Sequence, residues 1–308
     1  MAKHDFISIA DTPQEMLQHY LDVAKRLKKQ RAETGHNDPV CRGKVLACVF
    51  EKPSLRTRVS FEAAIDHLGG SGMYISPSEV GLGTRESPAD VARVLSGMVD
   101  GIMARVFEHE KLTQLATHAT IPVINGLSDY SHPCQAMADL MTMEEHFGKL
   151  QGLTLAYIGD GNNVARSLMV ACARFGVKFR IASPPGYELE MTLLDRLMRQ
   201  CPNLDFASTR DPVEAVKGAD AIYTDTWVSM GQEAEKKQRL NVFQPYQINE
   251  KLLAAAPNTA VVMHCLPANR NVEITDGVMD GSQSIVFQQA HNRLHFQKGL
   301  LAVLMGGQ

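Results

Sequence analysis

The residues with the clearest chemical potential lie in Phe50-Glu51-Lys52-Pro53-Ser54-Leu55-Arg56-Thr57-Arg58-Val59-Ser60-Phe61-Glu62, which follows an apolar run and opens a helical segment ending at Gly69-Gly70. A helix N-terminus offers free N–H groups and the positive end of the helix dipole, and here hydroxyls and guanidinium groups are added at the same place. That combination suits a phosphate. Standing alone, an exposed cationic helix start would read the same way. A second group is Asp129-Tyr130-Ser131-His132-Pro133-Cys134-Gln135, where His132 precedes a proline-initiated helix and Gln135 follows three residues later on the same face. A lone His at a helix start is more often a cap or a packed side chain. This one, however, follows a strand in an alternating pattern, where ligands bind in α/β sheets.

Ile158-Gly159-Asp160-Gly161-Asn162-Asn163-Val164-Ala165 runs from a strand through a glycine turn into a helix. It has part of a dinucleotide fingerprint, but the third glycine is irregular. The next strand, FRIAS, ends in Ser183 where a nicotinamide-binding unit would supply an acid for the ribose. The two asparagines are therefore expected to recognise something other than NAD, and no cofactor is expected. Two further loops close strands: Asp225-Thr226-Trp227-Val228-Ser229-Met230-Gly231-Gln232-Glu233 and His264-Cys265-Leu266-Pro267. Asp225 could hold an amino group while Ser229 and the backbone near Met230 hold a carboxylate, which together fit an amino acid. Taken singly, Asp225 is a turn cap and Cys265 a small buried apolar residue. His264 and Cys265 have no further ligands at suitable spacing, so no metal is expected.

The elements that must position these residues alternate along the chain. KVLACVF, GMYIS, GIMARVF and IPVIN in the first half, and LTLAYIGD, VKFRIAS, ADAIYTD and TAVVMHCLP in the second, read as strands between amphipathic helices. The implied class is α/β, with two domains, each a parallel sheet flanked by helices, the second Rossmann-like. Ser87-Pro88-Ala89-Asp90 and Asp211-Pro212-Val213-Glu214 each place a cap, a proline and an acid in order at a helix start. A helix over 133–147 ends before Gly148, which puts the domain boundary there: 1–148 for the first domain and 149–288 for the second. The last segment, about 289–308, reads as a helix that periodicity assigns to neither domain.

The 308 residues exceed what one core usually supports. With 44% hydrophobic and 21% charged residues and no run long enough to cross a bilayer, a membrane protein is not expected. A formal charge of −3 supplies no basic field for nucleic acid. Asp5, Asp11 and Glu15 oppose a signal or transit segment, so a cytoplasmic protein is expected, with its six scattered cysteines mostly reduced and buried.

Taken together, FEKPSLRTRVSFEAA, DYSHPCQAMADL, DTWVSMGQE, HCLP and the later His291-Asn292-Arg293 resemble the site elements of the aspartate/ornithine carbamoyltransferase family, in its ornithine branch. The resemblance runs from about residue 5 to the C-terminus. SMG and HCLP separate the ornithine branch from the aspartate-specific relatives. It implies that Ser54, Leu55, Arg56 and Thr57 bind the phosphate of carbamoyl phosphate. Arg105, His132 and Gln135 would surround its carbamoyl group, and Cys265, Leu266 and Arg293 would complete the site. Asn163, Asp225, Ser229 and Met230 would bind L-ornithine. Arg105, His132, Cys265 and Thr57 are the implied catalytic residues.

The resemblance further implies a homotrimer, or a multiple of it, and a C-terminal helix packed back on the first domain. The reaction it implies is attack of the neutral ornithine side-chain amine on the carbamoyl carbon, giving citrulline and phosphate in arginine biosynthesis, with no covalent enzyme intermediate. The alternatives are a carbamoyltransferase for putrescine or an N-acylated ornithine, and a non-catalytic amino-acid-binding regulator. Three positions depart from the family pattern. Leu55 replaces the usual second residue of the phosphate motif, Gly81 stands where relatives often carry a polar residue reaching into the neighbouring subunit's site, and Ala268-Asn269-Arg270-Asn271 replaces the commoner Ala-His-Arg-Gly.

Overall fold

The computed structural model describes residues 3–201, 204–228 and 233–308. Among the described residues nine strands form two all-parallel sheets, each belonging to its own compact unit. One unit is Met1–Met141 with His291–Gln308, and the other is Thr142–Ala290.

In the first unit the strands are β1 (Val45–Phe50), β2 (Ser71–Ile75), β3 (Gly101–Arg105) and β4 (Val123–Leu127), in the order β2-β1-β3-β4. The helices of eight residues or more that follow or precede them are α1 (Gln14–Thr34), α2 (Leu55–His67), α3 (Pro88–Ser96), α4 (His109–His118) and α5 (Pro133–Phe147). β1 and β3 are almost wholly buried, which is why they read as continuous apolar runs rather than alternating ones. α1 buries Leu17, Tyr20, Leu21, Ala24 and Leu27, a stripe at helical spacing. The strand order reverses between β1 and β3, which start side by side and send their crossovers in opposite directions. The C-terminal ends of that pair carry Phe50 and Arg105, at the switch point where open α/β sheets bind ligands.

The second unit holds β5 (Thr154–Ile158), β6 (Lys178–Ala182), β7 (Phe206–Thr209), β8 (Ala221–Thr224) and β9 (Val261–His264), in the order β7-β6-β5-β8-β9. Its longer helices are α6 (Asn163–Phe175), α7 (Met191–Gln200) and α8 (Lys236–Phe243), and α9 (Val286–Leu304) runs on into the first unit's residues. The switch point here lies between β5 and β8. β7 is the strand the sequence reading passes over. It is four residues long, pairs only with β6 and buries neither end, so its pattern is polar. The two cap motifs fold as expected, Ser87 accepting from the Asp90 N–H and Asp211 from the Val213 N–H, each with proline at the helix start. The division between the units falls inside α5, whose hydrogen-bond ladder continues to Phe147.

No helix among the described residues is long and apolar enough to cross a membrane. All six cysteines are free thiols, and all but Cys201 are buried.

Candidate active site

One candidate cluster, in the first unit, grows from the end of β1 into α2. Ser54 is the N-cap, in extended conformation, and its hydroxyl accepts from the Thr57 N–H. This turns the hydroxyls of Ser54 and Thr57 together, 3.1 Å apart. Thr57 is fully buried, and two guanidinium groups converge on its Oγ1: Arg105, from the end of β3, donates at 3.1 Å, and Arg293, from α9, donates at 3.2 Å. Arg293 also donates to Gln135 Oε1 at 2.8 Å, and Gln135 in turn donates to Asp139 one turn along α5. His132 sits just before α5, buried. Loss of solvent, then the charges of Arg293 and Arg105, hold its pKa well below the usual histidine value. The imidazole is therefore neutral near pH 7 and can accept or donate a hydrogen bond without adding charge. Arg56 is half-buried in the first turn of α2, and Leu55 is 75% exposed, so its side chain makes no pocket wall here and only its backbone could serve a ligand. Two buried arginines and a helix N-terminus on one spot favour an anion.

A second candidate cluster, in the second unit, lies at the ends of β5, β8 and β9. Asn162 caps α6 by accepting from the N–H groups of Val164 and Ala165, and its amide donates to Asp225 Oδ2 at 2.9 Å. Asp225 Oδ1 accepts from its neighbour's Thr226 N–H at 2.7 Å and from the Cys265 thiol at 2.9 Å. Asp225 and Cys265 are both 8% exposed, so the carboxylate reaches the surface by a narrow window. Asn163 is the first helical residue of α6, half-buried beside Asn162. Read singly, Cys265 is a small apolar filler; the structure corrects this, because its thiol is aimed at a carboxylate. Ser229 and Met230 lie outside the described residues.

The glycine turn after β5 has a packing reason of its own. A Cβ on Gly161 would meet the Glu188 and Leu189 backbone at 2.6 Å. Ser183, at the end of β6, is buried and donates to the Gly159 carbonyl. The position where an acid would meet a ribose is thus committed to holding the turn. Among the described residues no group of three or more His, Cys, Asp or Glu side chains is placed to hold a metal.

The loop after β9 is built by a pair that the sequence reading gave no role. His264 and Glu273 are both fully buried, with His264 Nε2 3.3 Å from Glu273 Oε1, while His264 Nδ1 accepts from the Leu266 N–H at 2.9 Å. The same Glu273 oxygen accepts from the Asn269 N–H. This network assigns the proton to Nε2 and holds Leu266 at a φ of 58°, a conformation a branched residue adopts only under constraint. An acid nine residues after a buried His is a signal legible only once the loop is known to close on itself.

Residues 4–145 match the family described as "Aspartate/ornithine carbamoyltransferase, carbamoyl-P binding domain", and residues 151–304 match "Aspartate/ornithine carbamoyltransferase, Asp/Orn binding domain". The chain belongs to the aspartate/ornithine carbamoyltransferase family. Among its relatives, ornithine carbamoyltransferase of Anoxybacillus flavithermus is 51% identical over 98% of this chain and 96% of that protein. The protein named "Ornithine carbamoyltransferase, anabolic" of Pyrococcus furiosus is 47% identical over 100% and 98%. The solved Pyrococcus furiosus structure superposes with a TM-score of 0.95, covering 100% of this chain and 98% of that one. That of Thermus thermophilus superposes with 0.88 at 44% identity, covering 98% of each.

Within the carbamoyltransferase family two of the three departures have physical reasons in the structure. Gly81 ends the short helix Pro77–Val80 at a φ of 53°, and a Cβ there would meet Arg85 Cβ at 2.6 Å, so this turn excludes a side chain that could reach outward. Asn271, where carbamoyltransferases more often have Gly, sits at a φ of 63°, and Asn is among the side chains that tolerate this region. Its amide is tied to Asp276 in both directions. Asn269 donates to Thr226 Oγ1 at 3.0 Å, joining its loop to the Asp225 loop.

Proposed function

We propose that this chain transfers the carbamoyl group of carbamoyl phosphate to the side-chain amine of L-ornithine, forming L-citrulline and phosphate in the biosynthesis of arginine. The observation that carries the reading is the Cys265 thiol on the Asp225 carboxylate at the β8 and β9 ends, in a chain about half identical, over nearly its whole length, to proteins named ornithine carbamoyltransferase. A buried carboxylate with a partly open edge suits an alkylammonium head group, and the relative named "anabolic" supports the biosynthetic direction.

In this reading the first unit is the carbamoyl-phosphate-binding domain and the second binds ornithine. Ser54, Leu55 through its backbone, Arg56 and Thr57 take the phosphate. Arg105, His132, Gln135 and Arg293 take the carbamoyl group, completed by Cys265 and Leu266. Asn163, Asp225, Ser229 and Met230 take ornithine. The amine lone pair attacks the carbamoyl carbon and negative charge collects on the carbonyl oxygen. Arg105, Thr57 and neutral His132 receive that charge. As the C–O bond to phosphate breaks, the electron pair leaves on phosphate, toward Arg56 and the α2 N-terminus, and the proton that the attacking nitrogen must lose passes to the departing phosphate. Fixed donors of this kind are each worth about 10²–10³ in rate. No group on the protein need be covalently modified.

Leu55, Val59 and Met73 are large apolar side chains left exposed on the first unit. A homotrimer, or a multiple of it, would give them a surface to pack against, and sedimentation equilibrium checks that assembly. Six free thiols are in keeping with the cytoplasm. The test is citrulline and phosphate formation across ornithine, acetylornithine, succinylornithine, putrescine and aspartate. A strong preference for ornithine is expected. Preference for another amine would overturn the reading of Asp225, and ornithine binding without phosphate release would make the chain a binding protein.

A further inference from the structure

Arg239 is anomalous on its own helix. α8 exposes Lys236, Lys237 and Gln238, yet Arg239 is only 3% exposed. A buried guanidinium is costly unless every side of it is engaged. Its Nε donates to the Trp227 carbonyl at 2.6 Å, one terminal nitrogen donates to the Asp160 carboxylate, and the other lies 3.4 Å from Glu235. Its face lies 4.8 Å from the Tyr187 ring centre and 5.3 Å from that of Phe243. Phe243 in turn stacks on Trp227.

The two groups that Arg239 joins flank the second unit's polar cluster. Asp160 is two residues before Asn162, and Trp227 is two residues after Asp225. Because Asn162 donates to Asp225, the chain closes into a ring: Asp160 to Asn162 by covalent bonds, Asn162 to Asp225 by a hydrogen bond, Asp225 to Trp227 covalently, and Trp227 to Asp160 through Arg239. Asp225 is thereby held from both sides. We infer that Arg239 is a positioning residue for amino-acid recognition, fixing the backbone after Asp225 against the turn that carries Asn162. The inference rests on the assignment of Asp225 to ornithine. Lysine cannot replace it, since a single ammonium cannot send a planar fork to a carbonyl and a carboxylate while stacking on a ring.

The experiment is steady-state kinetics of R239K, with wild type alongside. The ornithine KM is expected to rise about tenfold, with kcat and the carbamoyl phosphate KM each moving less than about threefold, the pattern of lost ground-state binding. A merely structural arginine would lower the melting temperature and the yield of folded protein but leave the ornithine KM of the folded molecules unchanged, and that result overturns the inference. Should R239K not fold, the pair D160N/R239M, which removes both charges together, carries the same two outcomes. A wild-type protein that forms no citrulline overturns the functional reading instead, so the two failures are distinguishable.

Discussion

Thr57 shows how one hydroxyl can organise a charged site. It lies in the first turn of α2, so its backbone is fixed by the Ser54 cap, and its Oγ1 then becomes the common acceptor for Arg105 and Arg293. The two guanidinium groups would repel one another if left mobile; held on one acceptor, they wait as a preorganised pair. Replacing Arg105 with Gln should lower kcat/KM by about 10²–10³ while the fold survives, as the loss of one donor to a developing oxyanion does; a fall of less than threefold would remove Arg105 from the chemistry. At Cys265 the hydrogen bond to Asp225 separates two variants. Cys265→Ser keeps a donor and should retain more turnover with ornithine than Cys265→Ala, and equal rates for the two would show the thiol's hydrogen bond to be incidental. His132 gives a pH test. Its folded pKa is lowered by burial and by the two arginines, so the unfolded chain takes up a proton below the ordinary value of 6.5 where the folded chain does not. Its contribution to stability is therefore present above that value and is lost as the pH falls below it. Nitrogen NMR of labelled histidine should find His132 still neutral at pH 6, and a protonated ring there would contradict its placement.

At the scale of elements, the packing of α9 on α1 sets where Arg293 stands. Gly299 is the contact point: a Cβ there would meet the Ala24 backbone at 2.6 Å, and backbone does not give way as a flexible side chain does. Gly299→Ala would gain helix propensity, worth about 1 kcal/mol, yet the overpacking should outweigh it. A net loss of about 1–3 kcal/mol is expected in urea melts, and an unchanged midpoint would mean the helices can separate freely. One residue earlier, Lys298 is fully buried and donates to Asn37. Burial, and then Arg31, lower its pKa to about 8. Between that value and the ordinary 10.5 the unfolded chain holds a proton that the folded chain has released, so stability from this group rises with pH across the window. Wild type should gain melting temperature relative to Lys298→Met between pH 8 and 10, and a constant difference would place the lysine in water.

At the scale of the whole molecule, two parallel sheets use the same geometric device. Each reverses its strand order once, between β1 and β3 in one sheet and between β5 and β8 in the other, and each gathers its polar residues at the C-terminal ends of that pair. The first collects guanidinium groups and a helix start, suited to an anion; the second collects a carboxylate and amides, suited to an amine. The substrate amine has a lysine-like pKa near 10.4 in water, and only its neutral form can attack. kcat/KM for ornithine should therefore rise with pH through the neutral range while carbamoyl phosphate binding stays level. A pH-independent ornithine term would mean that the amine is not deprotonated before the rate-limiting step.

The sequence by itself determined the strands that are buried on both faces, the capped helices and the positions of the chemical motifs, because these depend on residues close together in the chain. The motifs that carry Ser54, Arg56, Thr57, His132, Gln135 and Asp225 were legible in this way, whereas Cys265 read locally as an apolar filler until its thiol was placed on Asp225. The short edge strand β7 was not, since half-exposed four-residue strands carry no periodic signal. Nor was the reason for Gly81, whose backbone conformation is fixed by the turn it closes. Contacts between distant segments were decided only by tertiary structure. Arg293 meets Thr57 across most of the chain because α9 returns to the first unit. Glu273 holds His264 because the loop after β9 closes on itself, and Arg239 ties Trp227 to Asp160 because loops from separate strand ends converge at one sheet edge. Local pattern fixes what each segment becomes; which buried charges then share a partner depends on the topology that brings the strand ends together.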